Sequence, residues 1–384
     1  MKRNLATLLG ATALVAAAWS TSTAAQDTIK IGVTQPLTGA FAASGNYVTQ
    51  GAKIAEEQIN QAGGVLGRKI QLIVEDNKSN PTEAVATAEK LIVKDKVPVI
   101  MGAWSSTLTL AVMPKLVEYG VPMLVETSSS GKITTAGNPW IFRISPTSEM
   151  EAKAFAPLVK RLGIKKADFL STNNDFGLGA AQEFAEMLKA EGVQIGVRET
   201  MDPKATDFSA QLAKIKASGA DTLFVTTAVE QITLILKQAK EHQLQARIIT
   251  TGGSNSPDQL IQQAGDAADG SMHVVFFTPW FPDAVKNPEV AKKFMAEWNA
   301  RKYNVGGLTE GFRGYDGIMT IAAAINAAGK ADPAAIQTAL WGVKVKGING
   351  DIAFIKQGPQ GKESAQNVPS VYLVRIAGGK VIKY

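Results

Sequence analysis

Val97-Pro98-Val99-Ile100-Met101-Gly102-Ala103-Trp104-Ser105-Ser106-Thr107-Leu108-Thr109-Leu110 is the stretch whose reading decides the fold. The apolar run reads as a buried strand, the small and hydroxyl residues after it as a loop, and the segment from Leu108 to Tyr119 as a helix. Such a junction is suited to an anion. The first amides of a helix lack intrahelical acceptors and carry the positive end of the peptide dipoles, so backbone N–H groups and serine hydroxyls can hold a carboxylate. Ser105 and Ser106 stand where that group would dock.

A second junction of the same kind follows at once. Val121-Pro122-Met123-Leu124-Val125 reads as a strand, and Glu126-Thr127-Ser128-Ser129-Ser130-Gly131 as the loop at its carboxyl end. Ser and Thr are also ordinary helix caps, so one such loop proves little. Two in succession point to a site, because ligands of open parallel sheets sit outside the carboxyl ends of the strands.

Working outward, strands and helices alternate. Strands are expected at 28–33, 68–75, 97–102, 121–125 and 140–144, with helices at 46–61, 81–94 and 108–119 between them. After Pro146 the alternation restarts, with strands at 167–172, 193–200, 222–227, 247–251 and 272–277. From about Thr278 the pattern is helical, at 288–302, 312–328 and 333–340, and it closes with short strands near 351–355 and 371–376. Helices without strands of their own need a sheet to cover. The chain is therefore expected to cross back to the first lobe near Thr278 and return to the second near Gly358. The expected fold is α/β: two doubly wound parallel-sheet lobes joined by a three-crossing hinge, one of residues 26–145 plus 279–355, the other of 146–278 plus 356–384.

The 384 residues suffice for two such lobes, and a 45% hydrophobic share belongs to a globular chain rather than a disordered one. Met1-Lys2-Arg3-Asn4, the apolar run Leu5 to Trp19 and the small residues Ser20 to Gln26 have the three parts of a secretory signal peptide, 1–25, with cleavage after Ala25 or Ala24. The apolar run is shorter than the roughly 20 residues that span a bilayer. The formal charge is +6, or +4 once Lys2 and Arg3 leave with the leader, and no basic run stands out, so nucleic acid is not an expected partner. There is no cysteine. The mature chain is accordingly expected in the periplasm, without disulfides and without a lipid anchor on cysteine.

No catalytic or metal constellation is apparent. His242 and His273 are the only histidines and lie in unrelated settings. Gly63-Gly64-Val65-Leu66-Gly67 follows a helix rather than the first strand, so it reads as a helix stop and not a dinucleotide loop. Asp175 reads as a helix cap. No enzyme activity, cofactor or metal is expected.

Ile29-Lys30-Ile31-Gly32-Val33-Thr34-Gln35-Pro36-Leu37-Thr38-Gly39 and Ile59-Asn60-Gln61-Ala62-Gly63-Gly64-Val65-Leu66-Gly67-Arg68-Lys69-Ile70 resemble the leucine/isoleucine/valine-binding proteins of bacterial ABC importers. So do Asn174-Asp175-Phe176-Gly177 and Ala264-Gly265-Asp266-Ala267-Ala268-Asp269-Gly270. The resemblance implies the type I periplasmic binding fold, closure of two lobes over a ligand, and ABC permease subunits as partners of a monomer. It also implies that the ligand carboxylate is held by Ser105 with the backbone of Ala103 or Trp104, and by Thr127, Ser128 and Ser129.

The second lobe departs from the amino-acid-binding pattern. Its loop Thr251-Gly252-Gly253-Ser254-Asn255-Ser256 has no carboxylate to pair with an α-ammonium, and Phe176 stands where a tyrosine is common. An unpaired buried ammonium is costly, so an aromatic or 2-oxo acid is expected beside the family's branched-chain or other apolar amino acids. Glu230 is the residue that would supply the missing charge. Trp104, Phe176, Phe41 and Trp280 are the expected aromatic walls, with Gly253 near the ligand. The alternative is a periplasmic ligand sensor signalling to a membrane receptor.

Overall fold

The computed structural model describes residues 28–253 and 255–384, so the leader lies outside the described residues. Ten strands alternate with helices in two runs. β1 (Ile29–Gln35), β2 (Ile70–Asp76), β3 (Ile100–Met101), β4 (Met123–Val125) and β5 (Ile141–Arg143) belong to one sheet. β6 (Lys166–Thr172), β7 (Gln194–Met201), β8 (Thr222–Thr226), β9 (Arg247–Thr250) and β10 (Met272–Val275) belong to the other. All pairings within these two groups are parallel. The strands are mostly buried, as expected where helices cover both faces of a parallel sheet.

The carboxy-terminal strands are β11 (Val345–Gly347), β12 (Gly350–Ile352), β13 (Ile355–Gln357), β14 (Ser364–Gln366), β15 (Tyr372–Ala377) and β16 (Lys380–Lys383). The first sheet runs β13-β14-β5-β4-β3-β1-β2 and the second β16-β15-β10-β9-β8-β6-β7. This moves the last crossing later than Gly358. β14 pairs in parallel with β5, Ala365 opposite Phe142, so the chain leaves the first sheet only after Gln366. The sequence hides this because Ser364-Ala365-Gln366 is short and polar, and its strand character comes from the free edge of β5 rather than from its own side chains. The crossings are thus the segments after Arg143, after Val275 and after Gln366.

In each sheet the strand order reverses once, between β1 and β3 and between β6 and β8. Loops on either side of such a reversal diverge and open a crevice. Trp104 and Phe41 stand at the first reversal and Phe176 at the second. The helix Ala42–Gln61 begins four residues before its expected start, and the helix Leu308–Ala328 likewise. These two helices pack at backbone contact, since a Cβ on Gly51 would lie 1.7 Å from Gly311 O and one on Gly314 1.9 Å from Val48 O. That close approach carries the buried Glu310 and Arg313 beside the crevice. Among the described residues, no helix is long and apolar enough to cross a membrane.

Candidate functional site

The helix Ser106–Tyr119 starts at the crevice with Ser105 as its extended N-cap residue, and no side chain caps it. Its first-turn amides are therefore left to whatever occupies the crevice. Trp104, Ser105, Ser106, Thr127, Ser128, Ser129, Phe176 and Gly252 line a small cleft. Seven of these are residues singled out from sequence.

Hydrogen bonds divide their roles. Ser106 Oγ accepts from Ser130 N at 3.1 Å, tying the two serine loops together. Ser128 Oγ lies 2.9 Å from Trp104 O and 2.8 Å from Thr109 Oγ1, so this hydroxyl holds the loop. Ser129 Oγ accepts from Ser148 Oγ at 3.2 Å, and Thr127 Oγ1 donates to Glu126 Oε1 at 3.4 Å. Behind them Arg143, fully buried, donates Nη1 to Ser128 O (3.1 Å) and Ser130 O (2.7 Å). Its Nη2 donates to Thr134 Oγ1 at 2.7 Å and its Nε to Gln366 Oε1 at 2.6 Å. The carbonyls of the second serine loop are thus turned toward the guanidinium.

Trp104 adopts φ of 66°, a left-handed conformation that is unfavourable for a bulky aromatic residue. The strain places its ring on Phe41, with ring centroids 5.0 Å apart. Phe41 backs Trp104 rather than lining the cleft. Phe176 covers Gly252, where a Cβ would lie 2.4 Å from its ring. Gly252, and not Gly253, lines the cleft; Gly253 turns its carbonyl to Arg313 Nη2 at 2.8 Å. Trp280 is directed elsewhere, donating Nε1 to the Asp258 carboxylate at 2.9 and 3.1 Å.

Glu230 does not line the cleft. Its carboxylate takes the backbone N–H of Ala43 in the first lobe, and burial, with Glu310 nearby, pushes its pKa up. Charges that the sequence did not bring forward lie close by. Glu151 Oε1 accepts from Gly252 N at 2.6 Å, so a carboxyl does reach the loop that has none of its own. Burial pushes Glu151 up to about 8 and Glu126 up to about 7, in spite of the Arg313 charge that favours ionisation of both. Their signal in the sequence was charge in apolar surroundings: Glu126 at the end of an apolar strand, Glu151 on a helix, and Glu310, Arg313 and Asp316 spaced by three within a long apolar helix.

Asp175 corrects the sequence reading. The cap of its helix is Asn174, whose side chain accepts from Gly177 N. Asp175 instead crosses to the first lobe: Thr107 Oγ1 donates to Oδ2 at 3.0 Å, Asp175 N donates to Thr107 Oγ1 at 3.1 Å, and Lys132 Nζ lies 3.0 Å from Oδ1. Lys132 is largely exposed, so that ion pair contributes little and the hydroxyl bond carries the contact. Asp175→Ala is expected to weaken ligand affinity about three- to tenfold, the worth of one such bond, without moving the unfolding midpoint of the ligand-free chain. Titration calorimetry beside a thermal melt checks both; unchanged affinity would remove the contact from the closure.

A family model described as periplasmic binding protein matches residues 28–380. The leucine-, isoleucine-, valine-, threonine- and alanine-binding protein of Pseudomonas aeruginosa is 28% identical over 347 residues, covering 90% of this chain and 91% of that one. The branched-chain amino acid transporter substrate binding protein LivJ of Streptococcus pneumoniae, solved in complex with isoleucine, superposes with a TM-score of 0.80 at 26% identity, over 93% of this chain and 100% of that one. The solute binding protein of an ABC transporter from Rhodopseudomonas palustris BisB5, solved with 3,4-dihydroxybenzoic acid, has a TM-score of 0.80 at 27% identity, over 94% and 97%.

Proposed function

Because this chain belongs to the periplasmic binding protein family, we propose that it is the solute-binding component of an ABC importer and takes a small carboxylate-bearing ligand in the cleft between its lobes. The observation that carries this reading is the uncapped start of the helix Ser106–Tyr119, opening on a cleft walled by Trp104 and Phe176. A carboxylate there meets free amides and the positive end of the helix dipole. Closure follows from contact with both lobes, since a ligand that touches both stabilises the shut state over the open one.

The ligand class we favour is an aromatic or 2-oxo acid. None of the described lining residues is an acid, and the nearby carboxyls of Glu151 and Glu230 sit off the lining, bonded to the amides of Gly252 and Ala43 and raised above the ordinary carboxylate range by burial, so neither is a ready counter-charge for an α-ammonium. Among the relatives, similar identity accompanies isoleucine in one structure and a dihydroxybenzoic acid in another, so the lining chemistry and not the likeness guides the choice.

A thermal-shift series tests this. Benzoate, phenylpyruvate and 2-oxoisocaproate are expected to stabilise the chain, by about 2.7 kcal/mol for a ligand at a hundred times its dissociation constant, and leucine, valine or phenylalanine at the same concentration by less. Benzamide, which keeps the ring and loses the charge, is expected to give no shift. A larger shift with the amino acids would return the ligand to the branched-chain class, and equal shifts with benzamide and benzoate would discard the anion site.

A further inference from the structure

A chain of contacts joins the two lobes behind the cleft. Trp104 Nε1 donates to Glu310 Oε2 at 3.4 Å. The same oxygen lies 3.4 Å from Arg313 Nε, an ion pair rather than a directed hydrogen bond. Glu310 and Arg313 stand three residues apart on the helix Leu308–Ala328, which sets their side chains next to each other. Arg313 Nη2 then crosses to Gly253 O of the second lobe at 2.8 Å. Gly252, one residue back, is the second-lobe backbone of the cleft, and its amide is fixed by Glu151.

The guanidinium has no freedom to wander. Its carbon lies 5.1 Å from the ring centre of Phe276 and 5.6 Å from that of Phe312, and both Glu310 and Arg313 are buried. Aromatic rings of this kind exclude water and favour a planar cation. Gly253 has φ of +68°, and a Cβ there would lie 2.4 Å from the Phe276 ring, so this backbone approaches Arg313 only as glycine.

We propose that Glu310 and Arg313 form an interlobe clasp that couples ligand contact at Trp104 to docking of the Gly252-Gly253 loop. This rests on the cleft being the solute site. Arg313 is a positioning residue: a ligand packed on Trp104 holds the indole, the indole holds the Glu310 carboxylate, and the carboxylate aims the guanidinium fork. The fork meets Gly253 O only when the lobes are shut. The clasp is also reversible. Arg313 Nη1 has no hydrogen-bond partner among the described residues, and a buried unmet donor is unfavourable, so opening to water recovers part of what is lost when the Gly253 bond breaks. The carboxyls of Glu126 and Glu151 lie near the same guanidinium, from the first and second lobe respectively.

The chain has no cysteine, so Cys in place of exposed Val93 and exposed Lys189 gives two unique spin-label sites, one on each lobe. Label-to-label distances are read without ligand, with benzoate and with leucine, in the parent and in Arg313→Lys, Glu310→Gln and Trp104→Phe. Each variant is expected to lower the shut fraction at least fivefold and to speed ligand dissociation about tenfold, with an unfolding midpoint within a few degrees of the parent. Trp104→Phe keeps an aromatic six-membered ring but loses the indole N–H together with the rest of the five-membered ring, so its shut fraction without ligand, where the changed cleft wall plays no part, reports on the clasp even where the charge variants fold poorly. A shut fraction fully kept by Arg313→Lys would reduce Arg313 to a point charge and overturn the clasp, as would an unchanged shut fraction in Trp104→Phe. If neither benzoate nor leucine shuts the parent, the proposed ligand class fails on its own; a ligand-free shut fraction that still falls in the variants supports the clasp, and one that does not overturns it.

Discussion

Replacing Arg143 by Met is expected to remove about 3–5 kcal/mol of stability and all measurable carboxylate binding. The guanidinium is fully buried with no carboxylate partner among the described residues, and burial pulls its pKa down to about 9. What holds it there is four acceptors for its five N–H groups: two carbonyls of the Ser128–Ser130 loop, the Thr134 hydroxyl and the Gln366 amide oxygen. A thioether of similar length relieves the buried charge but takes a donor from each of those oxygens in a dry interior; Ser128 O keeps Ser145 Oγ, and each group left unmet is unfavourable by about 1–3 kcal/mol. The effect reaches the cleft, because the carbonyls that Arg143 gathers belong to the loop lined by Ser128 and Ser129. Arg143→Lys keeps the charge but cannot span four acceptors with one ammonium, and is expected to fold and bind poorly. Denaturant unfolding and a benzoate titration check the pair; a native midpoint in Arg143→Met would show that the loop does not depend on this residue.

Stability is expected to fall between pH 6.5 and 8, by an amount on the order of 3 kcal/mol. Glu126 and Asp316 are raised to about 7 and Glu151 to about 8, in each case chiefly by burial. A carboxyl whose folded pKa lies above its unfolded one keeps its proton in the native state when the unfolded chain has already lost it. Its contribution is complete below the ordinary carboxylate range and is lost as pH rises through 7 to 8. His273 acts in the other direction. Burial lowers it to about 3, so the unfolded chain binds a proton below pH 6.5 that the native chain refuses, and stability is lost as pH falls from 6.5 toward 3. Between the ordinary carboxylate range and pH 6.5 three carboxyls oppose one imidazole, so stability already falls as pH rises and the maximum is expected at about pH 4, with the decline continuing to about pH 8. Melting curves from about pH 3 to about pH 8.5 in one ionic strength read this directly. Glu126→Gln is expected to flatten the alkaline limb by about a quarter; a limb equally steep in that variant would place the proton elsewhere.

The alternation of strands and helices was legible because parallel strands covered on both faces must be apolar along their length, as Val97 to Met101 and Thr222 to Thr226 are. The first-lobe half of the site was legible for a related reason. A strand that ends in small and hydroxyl residues before a helix marks its carboxyl edge, which is why Trp104, Ser105, Ser106, Thr127, Ser128 and Ser129 come together as read. The second-lobe half was less so. Phe176 was found, but Gly252 replaced Gly253 on the lining, since which of two adjacent glycines turns inward depends on the Phe176 and Phe276 rings that press on them.

Local sequence determined the two-lobe alternation, the serine loops at the strand ends and the aromatic residues beside them, because hydrophobic period and turn chemistry are properties of neighbours along the chain. Tertiary structure alone decided the rest: that Ser364–Gln366 joins the edge of the first sheet, that Asp175 reaches Thr107 instead of capping, and that Arg143, Glu151, Glu310 and Arg313 surround the cleft. Each of these depends on partners tens to hundreds of residues away, and a buried charge declares its role only through the atoms that three-dimensional packing sets against it.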